Sequence, residues 1–264
     1  MRVTPLTLLV WAAVLLPMTI ATGVTNAQTA SKAGPTATDW STLAKLPDFT
    51  GVWEIGPGGG GGGRGRGAPQ GPSLTPAAAA KRKELQSLGR EDKETANCVP
   101  PGMPGIMGQP YPMEFLLTPG KVTIVIEAYT QVRHIYTDGR KLPEDPDPRF
   151  FGTSVGRWEG DVLVVDTFGF SPDTLLATGV PHSDKMRIAE RFRLTDPDTM
   201  SIETTITDPE ALTAPYTTTA SLRRHRNWTI SEYICEQNNR NGVDDKGKVI
   251  INPTFTGGEA PKKD

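Results

Sequence analysis

The sequence predicts an all-β domain: an antiparallel meander of roughly eight or nine strands closed into a barrel, with one short surface helix. Two patterns predict it. From Pro110 onward apolar and polar residues alternate with period two, the period of a strand that buries one face. These runs are separated by short turn-forming joints, "TDGR", "WEGD", "TDPDT" and "RHRN", which make consecutive strands hairpins. Closing such a sheet on itself hides its edges, and a barrel of this size can enclose one small ligand.

The strands read as 48–55 ("DFTGVWEI"), 121–129, 131–137, 153–158, 162–168, 185–194, 199–207, 215–224 and 227–235. Between the first two, "GPGGGGGGRGRGAPQGP" (56–72) cannot pack a core and is expected as a flexible insertion. It is followed by "TPAAAAKRKELQSLG", with Thr75 as N-cap, Pro76 at the first helical position and Gly89 as the stop, which predicts a helix over 75–88. The barrel domain spans 46–240, with a C-terminal tail over 241–264.

The first residues carry one basic side chain, Arg2, then an apolar run, then small residues up to Ala27. This is the layout of an export signal cut near Ala27, and residues 28–45, rich in Thr, Ala and Ser, are expected as a disordered leader. The mature protein is therefore expected in the periplasm or medium, with no stable membrane insertion after cleavage. With 28 basic and 30 acidic residues the chain is near neutral, so no global charge steers it to nucleic acid. Two cysteines in an exported chain, Cys98 and Cys235, are expected to form a disulfide.

The candidate chemistry comes from charged residues in apolar rows. In "KMRIAERFRL" Glu190 shares a strand face with Met186, Ile188, Phe192 and Leu194. Glu232 falls with Trp228, Ile230 and Ile234, Glu127 with Val125 and Tyr129, Arg133 beside Ile135, and Asp166 with Val162 and Val164. A buried charge is costly unless paired or functional, and a desolvated carboxyl can move protons. The expected site therefore has Glu190 or Glu232 as the acid or base, assisted by His182 from a loop at the barrel mouth. Arg133 and Tyr136 would hold an oxygen-rich substrate, with Glu127, Asp166 and Trp53 lining the cavity. No metal and no cofactor is expected, because His134, His182 and His225 lack zinc spacing. "GTSVG" (152–156) fits the serine-hydrolase pattern but is followed by a hairpin instead of a helix, so Ser154 is not read as a nucleophile.

Two resemblances add to this. "Gly51-Val52-Trp53" resembles the Gly-x-Trp signature of lipocalin or calycin barrels, in which the Trp closes one end. The blocks "PYPMEFLLTPGKVTIVIEAYTQVRHIYTDGR", "GTSVGRWEGDVLVVDTFGF", "ERFRLTDPDTM", "TDPEALTAPYT" and "EYICEQNNR" resemble a family of exported bacterial proteins of no established activity. That likeness implies export and a shared β-domain, a basic residue where His134 stands and a His where Thr153 stands. Two functions fit: a cofactor-independent enzyme performing hydrolysis, elimination or isomerisation on a small oxygen-rich molecule, or a lipocalin-type carrier that binds a small molecule unchanged.

Overall fold

The computed structural model describes residues 34–56, 71–87, 98–177, 179–235, 242–243 and 249–250. The chain divides after Gly34, and every element below belongs to the unit Pro35–Asp264. The expected export signal and most of the glycine-rich insertion and C-terminal tail lie outside the described residues.

Nine strands form a closed barrel: β1 (Gly51–Ile55), β2 (Met113–Thr118), β3 (Lys121–Ile126), β4 (Gln131–Tyr136), β5 (Thr153–Glu159), β6 (Val162–Phe168), and, after a flap of β7 (Leu175–Ala177) with β8 (Val180–Pro181), β9 (Arg187–Asp196), β10 (Thr199–Thr207) and β11 (Tyr216–His225). Around the ring the order is β1-β11-β10-β9-β6-β5-β4-β3-β2. An odd number of strands cannot close by antiparallel pairing alone, and the one parallel pair is β4 with β5, through Ile135↔Ser154 and Tyr136↔Val155. A parallel neighbour needs a crossover, so "TDGR" opens the long connection 137–152 across the outside of the wall instead of closing a hairpin.

The predicted nine strands and the observed nine differ at two places. Residues 227–235 form no strand: "RHRN" ends the barrel at His225 and the chain leaves as irregular backbone. The missed strand is β2, whose "MEFLLT" alternates over only a few residues before the tight turn at Gly120, φ +78°. The strand read as 121–129 also stops at Ile126, because Tyr129 and Thr130 adopt φ of 57° and 51° in a short 3-10 turn.

Two α-helices are present among the described residues. α2 (Pro76–Ser87) begins where predicted, with the Thr75 Oγ1 accepting from the Ala78 N–H at 3.2 Å. α1 (Ala37–Leu43) lies inside the expected leader and is held by a capping box between Thr36 and Asp39, a pattern weaker in sequence than the surrounding Thr and Ala content suggests. A short ladder joins β12 (Gly242–Val243) and β13 (Val249–Ile250).

The barrel interior is filled by the inward rows. Met113 and Phe115 from β2, Val122, Ile124 and Ile126 from β3, Leu163 and Val165 from β6, Ile188 and Phe192 from β9, and Met200 and Leu222 from β10 and β11 are all buried. Trp53 is fully buried: its Nε1–H donates to the Phe49 carbonyl at 2.9 Å and the Arg224 guanidinium lies 4.5 Å over its ring. Cys98 and Cys235 are joined, tying the segment after α2 to the end of the described C-terminal stretch. No helix among the described residues is long and apolar enough to cross a membrane.

Candidate functional site

The alternation of β4, β5, β6 and β9 sorts the predicted residues onto two sides of the wall. Inside, Arg133 meets Glu190: Nη1–H donates to Oε1 at 3.0 Å and Nη2–H to Oε2, and each side chain is only 1% exposed. Arg133 Nη2 also donates to Ser154 Oγ at 3.3 Å and Thr167 Oγ1 at 3.2 Å, and those two hydroxyls bond each other at 2.9 Å. The face predicted for Glu190 is thus inward, and its charge is met in full by a forked guanidinium. In this pairing the Glu190 carboxylate spends both oxygens on Arg133, and the cluster ties β4, β5, β6 and β9 together across the barrel.

The other predicted residues do not join this pair. Tyr136 is three positions from Arg133, so it faces out, and its ring carries the Arg140 guanidinium at 3.8 Å. Asp166 is on the face of Val162 and Val164 as predicted, but that face is outward. The buried row of β6 is Leu163, Val165 and Thr167, and Asp166 pairs with Arg157 at 3.1 Å. Glu127 stands beyond the end of β3, where its Oε2 accepts the Ser231 N–H at 2.9 Å and pins the C-terminal stretch. Glu232 lies on that stretch, exposed, with no strand face to put it inside. Trp53 is fully buried among core aromatics.

His182 follows β8, as predicted for a loop, but turns into the flap: Nε2 lies 2.9 Å from both Thr174 Oγ1 and the Ser171 carbonyl, and Nδ1 lies 2.7 Å from the Ser183 carbonyl. Both ring nitrogens are therefore committed to the flap and neither meets Glu190. The next residue, Ser183, is held by Asp208, whose carboxylate accepts from Ser183 N and Oγ and from the Glu210 and Ala211 N–H groups. Burial opposes the charge on Asp208, yet these donors outweigh it and hold the carboxyl below its usual range.

A solvent-facing site forms on the outside of the wall instead. Two successive outward rows run across the sheet: Val155, Asp166, Ala189 and Thr205, and next to it Thr153, Phe168, Arg187 and Thr207. Ala189 offers only a methyl group where its neighbours carry longer side chains, and the crossover brings Lys141 and Leu142 to the same place. The result is a depression of about 450 Å³ lined by Lys141, Leu142, Val155, Asp166, Arg187, Ala189 and Thr205, among others. A second, of about 420 Å³, adjoins it through the shared Lys141 and is lined by Tyr136, Arg140, Arg149, Thr153, Asp145 and Asp147 among its residues.

The charges at this groove are unevenly spent. Asp166 is engaged by Arg157, and Arg140 by Asp138 at 2.7 Å. Arg187 stacks 4.1 Å over Phe168, and neither it nor Lys141 has a carboxylate within ion-pair distance among the described residues. Thr167 connects the two sides: it lines the first depression and bonds Arg133 within the barrel. Of the predicted site residues, only Tyr136 and Asp166 border the groove. Sequence reading missed Lys141, Arg187 and Ala189 because outward polar residues look like ordinary solvated surface. The small Ala189 between charged neighbours was the available signal.

No protein-family model matches the chain, and no curated protein matches it.

Proposed function

We propose that this protein is an exported β-barrel that binds a small organic anion in the outer groove and releases it unchanged. The observation that carries this reading is the pairing of two cations that make no ion pair among the described residues, Lys141 and Arg187, with an apolar floor of Leu142, Val155 and Ala189 in one depression. An aromatic or aliphatic carboxylate of modest size matches it: the apolar body covers the floor, and the carboxylate takes the donors that lack a partner. The shared Lys141 extends the site toward the more polar depression, where Tyr136, Arg149 and Thr153 offer further hydrogen-bond donors to oxygen-rich ligands.

Binding without turnover is favoured over acid–base chemistry by the placement of the three proton-handling candidates: Glu190 is bonded to Arg133 inside the barrel, His182 to the flap, and Glu232 stands on the exposed C-terminal stretch. The disulfide supports an oxidising, extracytoplasmic setting. Titration calorimetry with 2-naphthoate tests the reading. Native protein is expected to bind it, and the double variant K141E/R187E to lose roughly a hundredfold in affinity, about 2.7 kcal/mol. Equal affinity of the two proteins would refute it.

A further inference from the structure

The two ends of the β7–β8 flap are joined through one imidazole. His182 Nε2 lies 2.9 Å from the Ser171 carbonyl and 2.9 Å from Thr174 Oγ1, both just before β7, and Nδ1 lies 2.7 Å from the Ser183 carbonyl, just after β8. A carbonyl oxygen only accepts. The Thr174 hydroxyl gives its single hydrogen to the Ser171 carbonyl at 2.9 Å, so toward Nε2 it too offers only lone pairs. Both ring nitrogens therefore face acceptors alone.

A neutral imidazole carries one N–H and an imidazolium carries two. With a single proton, either Nε2 or Nδ1 turns a lone pair toward an oxygen lone pair at these distances, and one end of the flap loses its bond. With both protons, the ring donates at both ends at once, and the bonds are strengthened by its charge. The flap residues held this way cover apolar surface: Leu176 and Val180 are buried, and the Phe170 ring stands edge-on to the imidazole at 6.1 Å and 72°.

We propose that the β7–β8 flap is a pH-sensitive fastening, locked while His182 carries both ring protons and loosened when the ring gives one up. The charged groups around it are few. Asp173 bonds the Ser171 side chain, and Asp184 and Lys185 follow Ser183 in the chain. Lys81 of α2 and Glu210 line one small depression with His182, and Glu210 pairs with Lys185. Asp208 holds Ser183 from the β10–β11 connection, and Arg149 of the crossover meets Ser171 through its backbone. The Gly105–Gly108 turn that packs on β7 carries no charge. Between about pH 5.5 and about pH 8 ordinary carboxylates, lysines and arginines keep their charge while an imidazole, with an ordinary pKa of about 6.5, changes its own. A change in the flap across that window therefore reports the ring.

The test is hydrogen exchange of the full-length protein at about pH 5.5 and about pH 8, corrected for the intrinsic rate at each. It is read at the Thr174 and Met186 amides, which donate to the Ser171 and Ser183 carbonyls at the two ends of the flap. Native protein is expected to lose about tenfold in protection there on going to the higher pH, while Ile202 on β10 keeps its own. His182→Gln, which takes up no proton, is expected to show equal protection at both. Nitrogen NMR of the native ring gives a second reading: both nitrogens are expected to be protonated where the flap is protected, and loss of one proton to coincide with loss of protection. Equal protection of native protein at both pH values, the same loss in His182→Gln, or full protection with a singly protonated ring would overturn the inference.

Discussion

Residues 189 and 190 are neighbours on one strand and stand on opposite sides of the barrel wall. Glu190 points in, where both carboxylate oxygens are taken by Arg133 and both side chains are buried. Ala189 points out into the groove that Lys141 and Arg187 line, and neither of these cations has an ion pair among the described residues. Inside, both Glu190 oxygens are bonded to Arg133, whose Nε–H is the one buried guanidinium donor there without a partner; outside, Lys141 and Arg187 make no ion pair among the described residues. A charge in an apolar row therefore marks a fastening between strands here, and the binding chemistry sits one residue away on the face that looks ordinary. A desolvated carboxylate can be kept for reaction or for structure, and what separates the two is whether a fixed partner uses up its oxygens.

The sharpest break of this contrast is Glu190→Gln. It leaves the Arg133 guanidinium buried without a counter-charge, which is expected to cost about 3–5 kcal/mol in urea unfolding. The pair is one unit, so a double replacement, R133M/E190L, is expected to cost less than the sum of the single variants, and a double-mutant cycle reads the difference. Additive losses would mean that the two side chains act separately.

Next in size is the disulfide. Cys98 and Cys235 enclose a separation of 137 residues, and replacing both with Ala is expected to lower stability by about 2–5 kcal/mol. The readout is thermal unfolding of the variant with and without the outer-groove ligand 2-naphthoate. The groove lies on β5, β6, β9 and the crossover, so its affinity at low temperature is expected to stay within twofold.

Asp208 gives the pH-dependent counterpart. Its carboxyl is held below its usual range in the folded protein, so the stability it supplies is complete above the ordinary carboxylate pKa of about 3.9 and is lost as pH falls through the folded value. Asp208→Asn is expected to cost about 1–3 kcal/mol at neutral pH through the weakened bonds to Ser183, Glu210 and Ala211. The gap between variant and native protein is expected to shrink toward acid. A gap that stays constant from neutral pH down to the acid transition would show that Asp208 carries no charge-dependent stability.

The smallest stability effect belongs to the groove. Lys141→Ala and Arg187→Ala are expected to change unfolding free energy by no more than about 0.5 kcal/mol, since both side chains are exposed and make no ion pair among the described residues. The same two changes are expected to weaken 2-naphthoate binding about tenfold each. That reverses the ranking seen at Glu190.

Much of the barrel was legible because period-two alternation is a local property. The rows of β3, β6, β9 and β10 and the turns at "WEGD" and "TDPDT" follow directly from it. The strand at 113–118 was missed because its alternation is short, and the strand expected at 227–235 failed because its apolar row has no core to face: Trp228 and Ile234 are exposed, and Tyr233 packs on Tyr111 and Tyr129. Arg133 beside Ile135 and Glu190 beside Ile188 and Phe192 were readable as inward. Their mutual pairing was not, because it spans 57 positions and depends on β4 meeting β5 in parallel. Asp166 shows the other limit. A row of Val162, Val164 and Asp166 has the same period whether it faces in or out, and only the partner strands decide which. The groove needed the register of four strands and a crossover at once, information that no single segment holds.

Photo-crosslinking with 4-benzoylbenzoate, followed by peptide mass spectrometry, locates the bound anion directly on the native protein. Labels on residues 141–142 and 187–189, suppressed by excess 2-naphthoate, are the predicted result. Labels confined to inward-facing positions such as Thr204 and Thr218, with the outer rows unmarked, would contradict an anion site on the outside of the wall.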